Sequence, residues 1–84
     1  MNITLKYFSW IRLKLKKSHD LIELNQTISF KEFKNYLISK DPVFQEIFED
    51  ESIKYFLNLT EIDDDNQILN NGDILALLPP VTGG

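Results

Sequence analysis

The stretch Ser29-Phe30-Lys31-Glu32 most narrows the folds open to this chain. It has the spacing of a capping box, in which a serine hydroxyl and a glutamate three residues on each accept a free backbone N–H of a helix start. The helix it opens carries Phe30, Phe33 and Leu37 on one face, with Lys31 and Lys34 elsewhere on the cylinder. The other long apolar patterns have the period of strands. Residues 2–8 alternate, with Ile3, Leu5 and Tyr7 on one side and Thr4, Lys6 and Phe8 on the other. Residues 20–24, 53–62 and 73–78 read as further strands, the last nearly all apolar, as in a central buried strand. Ser9 is placed to N-cap a short helix running to about Lys16, and Asp41-Pro42 to open another that buries Phe44, Ile47 and Phe48 and ends at Glu49-Asp50-Glu51. Asn25-Gln26, Asp63-Asp64-Asp65-Asn66 and Asn70-Asn71-Gly72-Asp73 read as turns.

This order predicts an α+β fold, a mixed sheet packed on one main helix. One amphipathic helix covers one sheet face. The opposite face then meets solvent or a partner. By strand parity Ile3, Leu5 and Tyr7 point at the helix, while Phe8 sits on the open face with Leu78 and suggests a docking patch.

Composition excludes several classes. A chain of 84 residues has room for one domain. With 43% hydrophobic and 26% charged residues it resembles a soluble domain, not a disordered segment or a membrane span. There is no cysteine, which removes disulfides, zinc–thiolate sites and thiol nucleophiles, and suits a reducing compartment. Lys6, Arg12 and Lys14 interrupt any leader-like apolar run, so the expected location is the cytoplasm. Residues 1–42 hold eight Lys/Arg against four acids, and residues 43–84 one Lys against nine acids, so the halves carry +4 and −8. The acidic half argues against nucleic acid as a partner. The basic-aromatic run from Trp10 to Lys17 reads as a helix with a solvated cationic face.

The last eight residues, Leu77-Leu78-Pro79-Pro80-Val81-Thr82-Gly83-Gly84, carry the chemistry. Two prolines stop the strand and bias the backbone toward an extended arm. Val81 and Thr82 also prefer extended backbone, and Thr82 has a hydroxyl to hydrogen-bond within a channel. Gly83 and Gly84 have no side chain, so the final carboxylate can enter a channel lined by backbone alone. A carboxylate oxygen is a poor leaving group. Adenylation converts its carbon into an electrophile for a sulfur or amine nucleophile. With no cysteine in the chain, any sulfur it carries must ride on that terminal carbon.

This ending resembles that of the small, sulfur-carrier subunit of molybdopterin synthase. Support comes from Tyr7-Phe8-Ser9-Trp10-Ile11-Arg12, from Leu57-Asn58 and from the Asn71-Gly72-Asp73 turn, and the resemblance covers essentially the whole chain. It implies a ubiquitin-like β-grasp fold over residues 1–78, with residues 79–84 as the tail. It further implies that Gly84 is adenylated by an E1-like adenylyltransferase and receives sulfur from a donor protein as a thiocarboxylate. The tail, Pro79, Pro80, Val81, Thr82 and Gly83, then enters the large subunit of molybdopterin synthase and delivers sulfur to a cyclic pyranopterin precursor. The family assembly has two small subunits flanking a dimer of the large one. Catalytic lysines belong to the large subunit, Phe8 and Leu78 face partners, and no cofactor or metal is held by the chain. Glu61 and Asp63-Asp64-Asp65 place charge beside a region that is more apolar in some relatives.

Three rival readings are an autonomous enzyme, a sibling carrier and a plain interaction domain. Ser18, His19 and Asp20 are adjacent in a strand, where neighbours point to opposite faces, so they do not build a nucleophilic relay. Asp63-Asp64-Asp65 lacks the spacing of a calcium loop. Sibling carriers, in thiamine biosynthesis or in isopeptide-forming protein modification, share the terminal Gly-Gly, and a plain interaction domain with an inert tail is the third.

Overall fold

The strand alternation at the N-terminus sets the architecture. In the computed structural model, which describes residues 1–80, β1 (Asn2–Tyr7) buries Ile3, Leu5 and Tyr7 and leaves Thr4 half-buried and Lys6 exposed. It is followed by α1 (Ser9–Leu15), β2 (His19–Glu23), β3 (Ile28–Ser29), α2 (Phe30–Lys40), α3 (Val43–Glu49), β4 (Lys54–Leu57), β5 (Thr60–Ile62), β6 (Ile68–Leu69) and β7 (Ile74–Leu78). The main sheet has the order β2-β1-β7-β4-β5. Its central pair, β1 and β7, is parallel, and every other pair in it is antiparallel. β3 and β6 form a separate two-stranded pair.

The expected capping box is present. Ser29 Oγ accepts the Glu32 N–H at 3.1 Å, and Glu32 Oε1 accepts the Ser29 N–H at 3.2 Å. The hydrogen bonds from Ser29 hold the Glu32 carboxyl below its ordinary titration range. From that start α2 lays Phe30, Phe33 and Leu37 against Leu5, Tyr7, Leu75 and Leu77 of the sheet, all members of one buried cluster. Ile11 of α1 and Phe44 and Ile47 of α3 close its ends. Asp41 serves the start of α3 as expected, its Oδ1 accepting the Val43 N–H at 3.0 Å.

Two local expectations fail. Ser9 does not act as an N-cap. It is itself the first residue of α1, at φ 56°, with Phe8 extended before it and no side-chain bond at the cap. The sharp bend is closed by the Ile11 N–H on the Phe8 carbonyl at 3.2 Å, leaving the serine hydroxyl no such role. Residues 53–62 are not one strand. They split into β4 and β5 at Asn58 and Leu59, whose φ values of 49° and 74° make a two-residue hairpin turn. Asn58 fixes that turn: its Nδ2 donates to Asp73 Oδ1 and its Oδ1 accepts the Ile74 N–H, both at 2.9 Å.

The basic run of α1 is engaged locally, since Lys14 pairs with Glu46 and Lys17 with Asp20. The Tyr7 hydroxyl donates to Asp20 Oδ2 at 2.7 Å. Burial, that hydrogen bond and the Asp20 and Asp41 charges push the Tyr7 phenol well above its ordinary range. Burial, then Asp50 and Asp65, raise Tyr55 to about 12. Among the described residues no helix is long and apolar enough to cross a membrane.

Two measurements check this account. Phe33→Ala removes a ring with 0% exposure and is expected to cost about 3–5 kcal/mol in urea unfolding, against about 1 kcal/mol for Ser29→Ala. Because both tyrosines stay protonated in the folded state above their unfolded pKa of 10.0, their contribution to stability is constant below pH 10 and falls from there through about 12. Unfolding midpoints against pH, with tyrosinate absorbance, test the sign.

Candidate functional site

The site follows from the parallel pairing of the first and last strands. Tyr7 lies beside Leu77, so both strands end at the same side of the sheet. The next residues, Phe8 and Leu78, emerge there together on the face away from α2. The ladder brings further groups onto that face. Lys6, Ala76, Phe56 and Glu61 form one row across β1, β7, β4 and β5, Thr4 and Ile74 a second, and Leu78 and Lys54 a third.

These rows enclose a concavity of about 500 Å³ lined by Lys6, Phe8, Phe56, Asn58, Leu59, Ile74, Ala76 and Leu78. Phe8 is 39% exposed, Ile74 41% and Leu59 95%. Apolar surface gathered at this density on a small domain is a candidate interaction surface. Its charged rim is thin. Lys54 and Glu61 lie 3.8 Å apart in solvent, a pair of little energetic weight, and Lys6 is the cation among the apolar groups.

Phe8 and Leu78, expected from the sequence to share the open face, do line one concavity. Pro79, buried, and Pro80, exposed, continue the chain from that rim. Val81, Thr82, Gly83 and Gly84, with the reactive carboxylate and extended arm expected of them, lie outside the described residues. Strand reading put Lys6 on the side of Phe8 but did not count it, Phe56, Leu59, Ile74 or Ala76 among the site residues. Ile74 and Ala76 were accessible by parity from Leu78. Leu59 was not, because it depends on a hairpin with no glycine to announce it.

The other candidate residues have local partners. Ser18 Oγ and His19 Nδ1 are 3.0 Å apart, but the Asp20 carboxylate turns to Tyr7 and Lys17 on the other side of the strand. Asp65 pairs with Lys34 at 2.8 Å, which lowers its carboxyl titration, and Asp64 Oδ1 accepts the Asn66 N–H at 2.8 Å.

Comparison with known proteins yields one sequence family. The ThiS family profile matches residues 5–84. No curated protein matches the chain in sequence. Among solved structures, SAMP1 from Haloferax volcanii superposes with a TM-score of 0.82 at 20% identity, covering 100% of both chains. A chain of the complex of subunits 1 and 2 of the molybdopterin-converting factor from Helicobacter pylori 26695 gives 0.69 at 28% identity, again over 100% of both. The Amycolatopsis orientalis BexX/CysO complex gives 0.71 at 18% identity, over 98% of this chain and 99% of that one. The architecture is the ubiquitin-like β-grasp.

Leu59 adopts a left-handed backbone that disfavours any residue with a Cβ, while its side chain contacts almost nothing within the molecule. Leu59→Gly is expected to raise unfolding stability by about 1 kcal/mol, because glycine takes that conformation without steric cost. Denaturant melts of the two proteins measure it.

Proposed function

Because the chain belongs to the ThiS family of ubiquitin-like sulfur carriers, we propose that it carries sulfur on its Gly84 carboxyl group and delivers it within a molybdopterin synthase. The observation that carries this reading is the apolar concavity of Phe8, Phe56, Leu59 and Leu78 at the end of the sheet where the chain leaves β7 for Pro79 and Pro80. A partner seated there stands next to the start of the tail. The 28% identity over full length with a chain of the Helicobacter pylori complex supports the molybdopterin branch, as does the Pro79-Pro80-Val81-Thr82 lead-in.

On this reading residues 1–78 are the docking body and residues 79–84 the tail. An E1-like adenylyltransferase joins the Gly84 carboxylate to ATP, releasing pyrophosphate. A sulfur donor protein then supplies sulfur at the sulfide oxidation level, whose attack on the acyl carbon displaces AMP and leaves a thiocarboxylate. Gly83 and Gly84 let that group reach a narrow site in the large subunit, whose lysines act on the pyranopterin precursor. The chain supplies position and the reactive carbon, and no side chain of its own performs the chemistry.

The test is reconstitution with thiocarboxylated protein, the large subunit and the precursor, assayed for dithiolene product. Deletion of Gly84 is expected to abolish product while leaving the unfolding midpoint unchanged, and an active deletion variant overturns the proposal. Intact mass of protein from its host should show a fraction heavier by the difference between sulfur and oxygen. The sibling roles are separated by capture: a thiazole synthase, or lysine-linked targets, in place of the large subunit. Phe8→Asp is expected to weaken large-subunit binding about tenfold or more while the protein still folds, since the ring lies on the open face and outside the buried cluster.

A further inference from the structure

β2 closes one side of the main sheet, and its outer edge has no strand beside it among the described residues. The hydrogen bonds to β1 fix which backbone groups face outward. Met1 and Leu24 exchange N–H to carbonyl bonds of 2.7 and 2.8 Å, and the Tyr7 N–H donates to the Ser18 carbonyl at 2.9 Å. In an antiparallel ladder these roles alternate, so the backbones of Asp20 and Ile22 also turn to β1. Those of His19, Leu21 and Glu23 turn away from it. The strand contains no proline or lysine to blunt this edge. Beside it runs a groove of about 550 Å³ between residues 20–23 and the Tyr36, Leu37 and Lys40 side of α2. Leu21 is 60% exposed.

The outward residues form a self-complementary series. His19, Leu21 and Glu23 pair with Lys6, Thr4 and Asn2, so all three share the open side of the sheet. We propose that this edge pairs antiparallel with the same edge of a second copy, with Leu21 facing Leu21 on the twofold axis. In that register each His19 lies opposite the Glu23 of the other copy, and the outward N–H and C=O groups meet one another. The neighbouring registers lose this match. Centring on Asp20 sets two carboxylates face to face, and centring on Ile22 sets Leu21 against Glu23 and His19 against Asn25. Ser18 Oγ sits 3.0 Å from His19 Nδ1. With that hydroxyl donating, the ring proton is on Nε2, free to donate to the facing carboxylate. Glu23 forms no ion pair among the described residues.

The contact is isologous, so it closes at two copies and builds no fibre. It joins two five-stranded sheets into one. The concavity of Phe8 and Leu78 stays free, so the dimer presents two docking faces at once, and the inference stands whether or not the sulfur-carrier reading does. One five-residue strand pair buries less than the roughly 1,200 Å² of a stable interface. The dimer is therefore weak and must be sought at high concentration.

Sedimentation velocity of the full chain over a concentration series is the test. The expected result is a growing dimer fraction, with the amides of His19, Leu21 and Glu23 gaining exchange protection in parallel. Glu23→Lys and His19→Glu, both at exposed positions, should each weaken the dimer on the order of tenfold by placing like or mismatched charges across the axis. Mixing the two variants should restore it, because the mixed pair keeps one His19–Glu23 contact and sets the two introduced charges, of opposite sign, against each other. A monomer at every concentration overturns the proposal, as does a dimer indifferent to both substitutions or a mixture no tighter than its parts. Protection of these amides only by an added foreign peptide assigns the edge to another partner and equally overturns it.

Discussion

The parallel pairing of β1 with β7 is the contact on which the rest of the molecule depends. It joins the two ends of the described chain across nearly its whole length, and no local hairpin could make it. The turn before β7 holds it in register. The Asn2 carbonyl accepts the Gly72 N–H at 2.8 Å, the Asn2 N–H donates to Asn71 Oδ1 at 2.8 Å, and the Thr4 N–H donates to the Asp73 carbonyl at 3.0 Å. Gly72 is at φ 87°, a conformation that most side chains resist. Slip by one residue would turn Leu75 and Leu77 out of the core and Ile74, Ala76 and Leu78 into it. The same register that buries the core thus assembles the open face, and one cannot be altered without the other.

Apolar burial supplies nearly all of the stability. The four side-chain ion pairs among the described residues are partly or largely exposed, and such pairs contribute little. No buried side-chain polar atom among the described residues lacks a hydrogen bond. The Tyr7 hydroxyl is a polar group carried deep into the cluster, and Asp20 accepts from it. Lys17 reaches the same carboxylate from α1's exit, at 3.0 Å. The cationic run of α1, which has no evident role in the sequence, is thus paired locally, Lys17 with Asp20 of β2 and Lys14 with Glu46 of α3, at sites exposed enough that each pair adds little.

Much of this was legible because the signals were strong and local. A serine and a glutamate three apart made α2 readable, alternation made β1 readable, and Asn-Gly announced the turn before β7. The failures share a cause. Ser9 and Leu59 both occupy positive φ without being glycine, so nothing in their side chains reveals the bend. At Leu59 the decisive groups lie at the start of β7, in the Asp73 carboxylate and the Ile74 N–H that grip Asn58. β3 and β6 are two residues each, too short for any period, and exist because Ser29 and Ile68 are brought opposite by elements on either side. Of the candidate site, the ends of the strands were readable and the hairpin tip was not.

That tip bears on why a domain this small tolerates so much exposed apolar surface. If the open face served only the fold, Leu59 would be the least expected residue in it. It takes an unfavourable backbone, lies 95% exposed and packs on nothing, whereas asparagine followed by glycine would make the same turn without strain. Folding alone gives no reason to keep leucine there. Docking does, because an anchor that projects from a rigid two-residue turn loses little conformational entropy on burial by a partner. On the proposed docking role, the strain at Leu59 and the exposure of Phe8 become two signs of one arrangement: a surface kept slightly less stable than it could be.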